Sequence, residues 1–173
     1  MKVLSIVSQK GGVGKSLLSV NLATTAANSR ETILVVDLDP QASSANWGDL
    51  REDDNDKLTI QSAQHSRLPK VLDSAKKSGA TFVIIDTAPH SESAALSAIR
   101  AADFVIIPCR PAFFDIQSVA TTIDLANISK KKASIVLNAV PPLGPMGDEA
   151  EAALKELGAE VAPVRIHQRV AFV

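Results

Sequence analysis

The chain has 173 residues, which is enough for one sizeable hydrophobic core and too few for two ordinary domains. Its 18 basic and 19 acidic residues give a net charge of −1, which excludes a global positive field that would attract nucleic acid or anionic lipid. Only 3% of the residues are aromatic, so aliphatic side chains must build the core, as in stacked strands and helices. We therefore predict one α/β domain over residues 1–173.

Short apolar runs along the chain predict the strands of a sheet. The runs lie at residues 3–7, 33–37, 82–86, 104–108 and 134–138. They are apolar throughout rather than alternating, which is typical of parallel strands covered on both faces. Segments with helical periodicity alternate with these runs, at residues 16–28, 67–77, 93–102, 116–128 and 148–157. Repeated strand, helix, strand units predict a doubly wound, mostly parallel sheet with helices on both faces.

The sequence also predicts where regular structure and membrane spans are absent. The stretch from Ser43 to Lys57, which includes REDDND, has no clear period and is predicted to be a solvated connection. No apolar run approaches the length of about 18 residues that a membrane span requires, so we predict no membrane insertion.

Cys109 is the only cysteine and cannot form an internal disulfide, which fits a cytoplasmic location. Its apolar surroundings, FVIIPC, predict a buried small hydrophobic residue rather than a nucleophile.

The first predicted strand runs into QKGGVGKS and then into a helix, which is the context of a phosphate-binding loop. Glycines let backbone N–H groups turn around phosphate oxygens, and the helix start adds partial positive charge. Lys15 is predicted to contact the β- and γ-phosphates, and the Ser16 hydroxyl is predicted to bind Mg²⁺. The predicted nucleotide contacts are Gly11, Gly12, Val13, Gly14, Lys15, Ser16 and Leu17. A dinucleotide fingerprint is the alternative, and it fails at Leu17, where its third glycine belongs.

The loop has a second lysine, Lys10, in front of its glycines. KGGVGKS with this leading lysine resembles the deviant Walker A motif of the ParA/MinD family of ATPases. The resemblance extends over nearly the whole chain, to RIHQRVAFV at its end. It implies a P-loop NTPase fold, ATP and Mg²⁺ as cofactors, and an ATP-dependent homodimer in which Lys10 acts catalytically on the phosphates bound by the other subunit. The alternative is a solvated lysine in front of a loop.

Aspartates stand at the ends of two predicted strands, where open α/β sheets bind their ligands. Asp37 and Asp39 lie in DLDPQ, and Asp86 ends FVIID. The first segment resembles the family's DxDPQ motif, which implies that Asp37 supports the Mg²⁺ site and that Asp39 positions the attacking water. Asp86 resembles the Walker B aspartate that holds Mg²⁺ through water. The alternative for Asp39 is a turn initiator before Pro40.

Two polar residues farther along receive weaker predictions. Asn138 ends the last apolar run, and the resemblance implies that it contacts the adenine base; an ordinary turn residue is the alternative. Asp115 is predicted to be the N-cap of a helix that begins at Ile116.

The chain looks like a short ParA-type partition ATPase. This implies that the dimer binds DNA non-specifically on the nucleoid and is reset when a centromere-binding, ParB-type partner stimulates hydrolysis. Arg165, Arg169 and the lysine triplet Lys130, Lys131 and Lys132 are the candidate DNA contacts. A MinD-like or cargo-positioning regulator and a metabolic ATP-dependent relative are the alternatives. An iron–sulfur reductase is excluded by the single cysteine.

The ends of the chain depart from the longer members of that family. The first predicted strand begins close to Met1, so we expect no N-terminal helix-turn-helix domain and no sequence-specific operator binding. The last residue is Val173, where relatives continue through a final helix, so we expect that helix to be missing or truncated.

Overall fold

The computed structural model describes residues 1–29, 31–51 and 56–169. Strands and helices alternate along it. The strands are β1 (Lys2–Ile6), β2 (Ile33–Asp37), β3 (Leu58–Ser62), β4 (Phe82–Asp86), β5 (Phe104–Cys109), β6 (Ala133–Val140) and β7 (Val161–His167). The α-helices are α1 (Lys15–Asn28), α2 (Ser43–Asp49), α3 (Leu68–Lys77), α4 (Glu92–Ala101), α5 (Phe113–Ile128) and α6 (Met146–Glu156). One 3₁₀ turn, His65–Arg67, leads into α3.

The described strands form one seven-stranded sheet in the order β3-β2-β4-β1-β5-β6-β7. All of its ladders are parallel. The strands β2 to β4 lie on one side of β1 and β5 to β7 on the other, so the winding of the chain reverses beside β1. This confirms the predicted doubly wound fold, and ligands of such sheets bind at the carboxyl ends of the strands near the reversal.

Each face of the sheet has its own hydrophobic cluster. Ile84 and Ile85 are neighbours in β4 and are both fully buried, but their side chains belong to different clusters. Ile84 packs with residues of α1, such as Leu18, and Ile85 packs with residues of α3 to α6, such as Ile99. A central strand covered on both faces has no polar face, which is why the apolar runs do not alternate.

The prediction for Ser43 to Lys57 was wrong in its first part, because residues 43–49 form α2. Residues 52–55 lie outside the described residues. The strands β3 and β7 were not predicted either. Both are edge strands with mostly half-buried or exposed side chains, so neither shows the apolar run that marks a buried strand. Pro163 in β7 is compatible with an edge position, where one side of the backbone needs no partner.

The predicted N-cap at Asp115 was also wrong. The helix α5 begins at Phe113, and the residue before it, Ala112, has no polar side chain to cap it. Asp115 instead lies in the first turn of α5 and is buried, where its carboxylate accepts a hydrogen bond from Arg110. The carboxylate therefore serves an ion pair rather than the start of the helix.

The prediction for Cys109 is confirmed. The thiol is buried in β5, and burial raises its pKa to about 12, with the charge of Asp115 adding to the effect. A thiol that stays protonated is a poor nucleophile. In the part of the chain that is described, no helix is both long and apolar enough to cross a membrane.

Candidate nucleotide-binding site

Three adjacent strands bring the predicted site residues together. In the sheet, β4 lies between β2 and β1. Asp86 is in register with Asp37 on one side and with Ile6 on the other. Because parallel strands end at the same edge, the loop that leaves β1 emerges beside both carboxylates. Residues that are widely separated along the chain thereby meet at one site.

The backbone of the loop after β1 is shaped by two glycines. Gly12 has φ 71° and Gly14 has φ 90°, a left-handed conformation that glycine adopts readily. Gly14 immediately precedes α1, and no described side chain caps the start of that helix. The first N–H groups of a helix have no intrahelical acceptors, so an uncapped start inside a glycine turn is suited to an anion.

Lys15 lies inside this loop. Its residue is only 6% exposed, and Nζ donates a hydrogen bond to the carbonyl oxygen of Lys10 at 3.1 Å. Burial lowers the pKa of Lys15, while the charges of Asp86 and Asp39 oppose that change. The ammonium group is thus buried within the electrostatic influence of two carboxylates but forms no ion pair with a described residue, which favours the binding of phosphate oxygens.

Asp86 is fully buried at the end of β4. Its Oδ2 accepts a hydrogen bond from the Ser44 hydroxyl at 2.7 Å, whereas Oδ1 is buried with no hydrogen-bond donor among the described residues. Burial raises the pKa of Asp86 to about 6, and the neighbouring hydroxyl groups of Ser16 and Ser44 oppose the change. A buried carboxylate oxygen without a partner is costly, and a cation would relieve that cost.

The donor set around Asp86 fits Mg²⁺. No three His, Cys, Asp or Glu side chains in the described ranges are grouped so that they could hold a metal ion. Mg²⁺ seldom needs such a cage, since it commonly binds one or two protein oxygens together with water and phosphate oxygens. Asp86, with the Ser16 hydroxyl beside it, could supply the protein oxygens.

The Asp37 carboxylate accepts backbone hydrogen bonds that hold the turn after β2 together. Its Oδ1 accepts a hydrogen bond from the Asp39 N–H at 2.9 Å, and its Oδ2 accepts from the N–H groups of Ser44 at 2.9 Å and Ala45 at 3.1 Å. Burial raises the pKa of Asp37, and these backbone hydrogen bonds oppose the change. Three backbone hydrogen bonds already engage this carboxylate in holding the turn, so the geometry favours a supporting role.

Asp39 lies in the same turn, and its Oδ1 accepts a hydrogen bond from the Gln41 N–H at 2.9 Å. The turn that was the alternative prediction is therefore present. It does not preclude a role in the site, because the charge of Asp39 opposes the lowering of the Lys15 pKa by burial. The structure brings Asp39 into the group formed by Lys15, Asp37 and Asp86.

Asn138 contacts the phosphate loop directly. Its Nδ2 donates a hydrogen bond to the Val13 carbonyl oxygen at 2.7 Å, a contact across 125 positions of the chain. A Cβ added at Gly14 would lie 2.3 Å from the same Nδ2. Asn138 therefore packs so closely on the loop that only glycine fits at position 14, and this clamping role was not predicted.

A cavity of about 350 Å³ adjoins the loop and Asn138. One side is formed by the loop and α1, through Gly14 and Leu17. The other side is formed by residues 166–169, which are the last two residues of β7 and the two residues that follow it. From the sequence, Arg169 in this last segment was a candidate DNA contact, and no part in a cavity was predicted. The motif RIHQR was the available signal in the sequence, but its position beside the loop depends on β7, an edge strand that was not predicted.

The Lys10 side chain forms an ion pair with a residue of α5, outside its own loop. Its Nζ lies 3.7 Å from Asp115 Oδ1, and the side chain is 38% exposed. The same buried carboxylate binds Arg110 through Nε, at 2.5 Å from Oδ2. The two lysines of the motif are therefore separated, with Lys15 inside the loop and Lys10 at the surface beside α5.

The candidate DNA contacts do not form one patch. Residues 130–132 precede β6 and so lie at the edge of the sheet opposite the phosphate loop, where Lys131 Nζ donates a hydrogen bond to the Ala102 carbonyl oxygen. Arg165 forms ion pairs with Asp148 at 2.7 Å and Glu151 at 2.5 Å, which a phosphate would have to displace. Arg169 lines the cavity beside the loop.

The raised pKa of Asp86 predicts a pH dependence of stability without metal. The folded state binds this proton more tightly than the unfolded state, so the stabilisation is fully present below pH 3.8 and is lost as the pH rises through about 6. A pKa change of this size corresponds to roughly 3 kcal/mol in the free energy of unfolding. We expect Asp86→Asn to remove this component, as measured by urea unfolding in EDTA between pH 4 and pH 8. Parallel pH curves for the two proteins would contradict the prediction.

The fold and the loop define a P-loop nucleotide-binding protein. The family model of the CobQ/CobB/MinD/ParA nucleotide-binding domain matches residues 4–173. The chain belongs to this family, which confirms the resemblance read from KGGVGKS.

Curated relatives and solved structures agree with this assignment. Maintenance of carboxysome distribution protein A (McdA) from Gloeobacter kilaueensis is 34% identical, over 99% of this chain and 81% of the relative. Chromosome partitioning protein ParA from Caulobacter vibrioides is 28% identical, over 69% of this chain and 60% of the relative.

Solved structures of related proteins share the fold. Apo McdA from Cyanothece superposes with a TM-score of 0.84 at 19% identity, covering 99% of this chain and 88% of that one. An ATP complex of a Cyanothece McdA variant has a TM-score of 0.79 at 19% identity, covering 98% and 84%. Cobyrinic acid a,c-diamide synthase from Mycobacterium smegmatis, solved with ADP and magnesium, has a TM-score of 0.77 at 18% identity, covering 90% and 82%.

Proposed function

We propose that this protein is a Mg²⁺-dependent ATPase whose nucleotide state controls its self-association. The observation that carries the proposal is the buried group of opposite charges at one sheet edge. Lys15 is held inside a glycine loop, and Asp86 Oδ1 is buried beside it without a hydrogen-bond donor among the described residues. Family membership and relatives solved with ATP or with ADP and magnesium support ATP and Mg²⁺ as its cofactors.

The residues divide the work of binding in a defined way. The backbone of Gly11 to Leu17 and the Lys15 ammonium hold the phosphates, while Ser16 and Asp86 hold the cation. Asp37 fixes the turn that carries Asp39. The cavity between Leu17, Asn138 and residues 166–169 takes the base. When bound, Mg²⁺ neutralises charge on the phosphate oxygens.

Asp39 and Lys10 complete the proposed chemistry. Asp39 orients the attacking water, since its carboxylate lies close enough to Lys15 to affect the pKa of the ammonium. Lys10 acts on the nucleotide of a second copy, because its ammonium lies at the surface and its own loop already contains Lys15. A cation there would stabilise the charge that spreads over phosphate oxygens during transfer, which ties hydrolysis to dimerisation.

We assign this switch to the positioning of a cellular cargo. The relative named for carboxysome distribution matches 99% of the chain at 34% identity, whereas Caulobacter ParA matches 69% at 28%. This favours cargo positioning over DNA partition, which was the first choice from sequence. Partition with a ParB-type partner is the second candidate, supported by the ParA relatives. In both cases we propose that the cargo is positioned along nucleoid DNA, which the protein binds without sequence specificity.

Light scattering of the protein with ATP, with ADP and without nucleotide tests the switch. We expect a dimer with ATP only. Lys10→Ala should bind ATP within a few-fold of the wild-type affinity and lose the dimer, because the phosphates of each site then lack the second lysine. Lys77→Ala, at the exposed end of α3, is the matched control. An ATP-dependent dimer that is unchanged in Lys10→Ala would remove Lys10 from the mechanism.

The same samples test whether the protein binds DNA. Retention of sheared DNA should require ATP and fall steeply with salt, as expected for phosphate contacts. An ATP dimer that retains no DNA would overturn the proposed DNA binding and leave the ATPase assignment intact. Stimulation of hydrolysis by a DNA-bound centromere-binding protein would move the assignment to partition.

A further inference from the structure

One serine connects both carboxylates of the candidate metal site. Ser44, the second residue of α2, is fully buried. Its hydroxyl donates to Asp86 Oδ2 at 2.7 Å, and its N–H donates to Asp37 Oδ2 at 2.9 Å. The first turn of α2 is therefore attached to β4 and to β2 through a single residue.

The hydroxyl bond determines how Asp86 is presented. A carboxylate with one oxygen engaged by a strong donor cannot rotate freely about its last bond. With Oδ2 held by Ser44, the oxygen left for a cation is Oδ1, which is buried and has no donor among the described residues. Side chains that orient a ligand in this way usually influence metal affinity strongly.

The other end of this connection is the surface of α2. Trp47 is 37% exposed there, one turn beyond Ser44. On its inner side α2 packs tightly, since a Cβ added at Gly48 would lie 3.0 Å from Ile60 Cβ. The turn from Asp37 to Ser44 also carries Asp39, so any shift of α2 acts on that turn as well.

We propose that Ser44 is a positioning residue that orients Asp86 for the cation and transmits the state of the metal site to α2. The inference rests on the proposed Mg²⁺-nucleotide site and adds a residue that couples it to the surface around Trp47. Ser44 acts through Asp86 and does not itself touch the nucleotide.

The composition of the chain provides the probe. Trp47 is the only tryptophan and the chain has no tyrosine, so intrinsic emission excited at the indole band reports α2 directly. The full chain is freed of divalent cations with EDTA, exchanged into EDTA-free buffer, held at saturating ATP and titrated with Mg²⁺, whose concentration is expressed as free Mg²⁺. We expect a saturable change in Trp47 emission for the wild type. For Ser44→Ala we expect the half-saturating Mg²⁺ concentration to rise about tenfold or more.

Ser43→Ala is the matched control, because Ser43 is the exposed neighbour of Ser44 in the same helix turn. It should titrate like the wild type. A purely structural role for Ser44 would lower the thermal midpoint of unfolding without moving the Mg²⁺ midpoint, so both are measured on each variant. The wild-type response is itself a test that needs no variant to fold.

Calorimetric titration of ATP with and without Mg²⁺ separates the two hypotheses. If the wild type binds no ATP, both the proposed function and this inference fail. If it binds ATP and Mg²⁺ but Trp47 emission stays constant, only the inference is overturned. Equal Mg²⁺ midpoints for Ser44→Ala and Ser43→Ala overturn it in the same way.

Discussion

Gly14→Ala should abolish nucleotide binding and destabilise the protein by about 3 kcal/mol. The glycine has φ 90°, where an L-residue is strained, and the added Cβ would lie 2.3 Å from Asn138 Nδ2. The Asn138 side chain cannot retreat without breaking its 2.7 Å hydrogen bond to the Val13 carbonyl oxygen. Either response distorts the loop whose backbone is meant to surround the phosphates. Urea unfolding and a titration with fluorescent ATP measure the two effects.

Gly12→Ala separates the effect of backbone strain from the effect of a steric clash with Asn138. Gly12 also has a positive φ, 71°, but a Cβ there would meet no atom within 4 Å. We expect this control to cost only the backbone strain, about 1 to 2 kcal/mol. Asn138→Ala should restore part of the stability of Gly14→Ala, because it removes the atoms that collide. Equal unfolding midpoints for the two glycine variants would show that Asn138 does not constrain position 14.

Asp39→Ala should slow ATP hydrolysis at least about 100-fold while leaving ATP bound. The charge of the carboxylate acts on Lys15, but Asp39 belongs to the turn after β2, so its loss removes a group that orients water and spares the phosphate loop. An ATP dimer that cannot hydrolyse its nucleotide should persist. Single-turnover hydrolysis and light scattering over time measure these outcomes.

Asp39→Asn tests whether Asp39 is only a turn residue. The amide oxygen of asparagine can still accept the hydrogen bond from the Gln41 N–H, so the turn should remain. The negative charge is lost, so the asparagine variant should hydrolyse ATP as slowly as the alanine variant. Wild-type turnover in Asp39→Asn would reduce Asp39 to its structural role.

Local sequence predicted the centre of the sheet better than its edges. β2 and β4 have the predicted bounds, Ile33–Asp37 and Phe82–Asp86, because strands covered on both faces are apolar at every position. β3 and β7 lie at the two edges, where polar residues such as Gln61 and Arg165 cost little, and neither was predicted. The helix α2 has seven residues, too few for a period to be visible.

By itself the sequence determined the type of site. The order of glycines, Lys15 and Ser16 after a buried strand is a local property, and parallel strands bring Asp37 and Asp86 to that same edge. What these groups contact was decided only in the tertiary structure. Examples are the bond from Ser44 to Asp86, the contact of Asn138 with Gly14, and the pairing of Lys10 with Asp115. The physical reason is that periodicity indicates which face of an element is buried, whereas hydrogen-bond partners distant in sequence depend on how the elements pack.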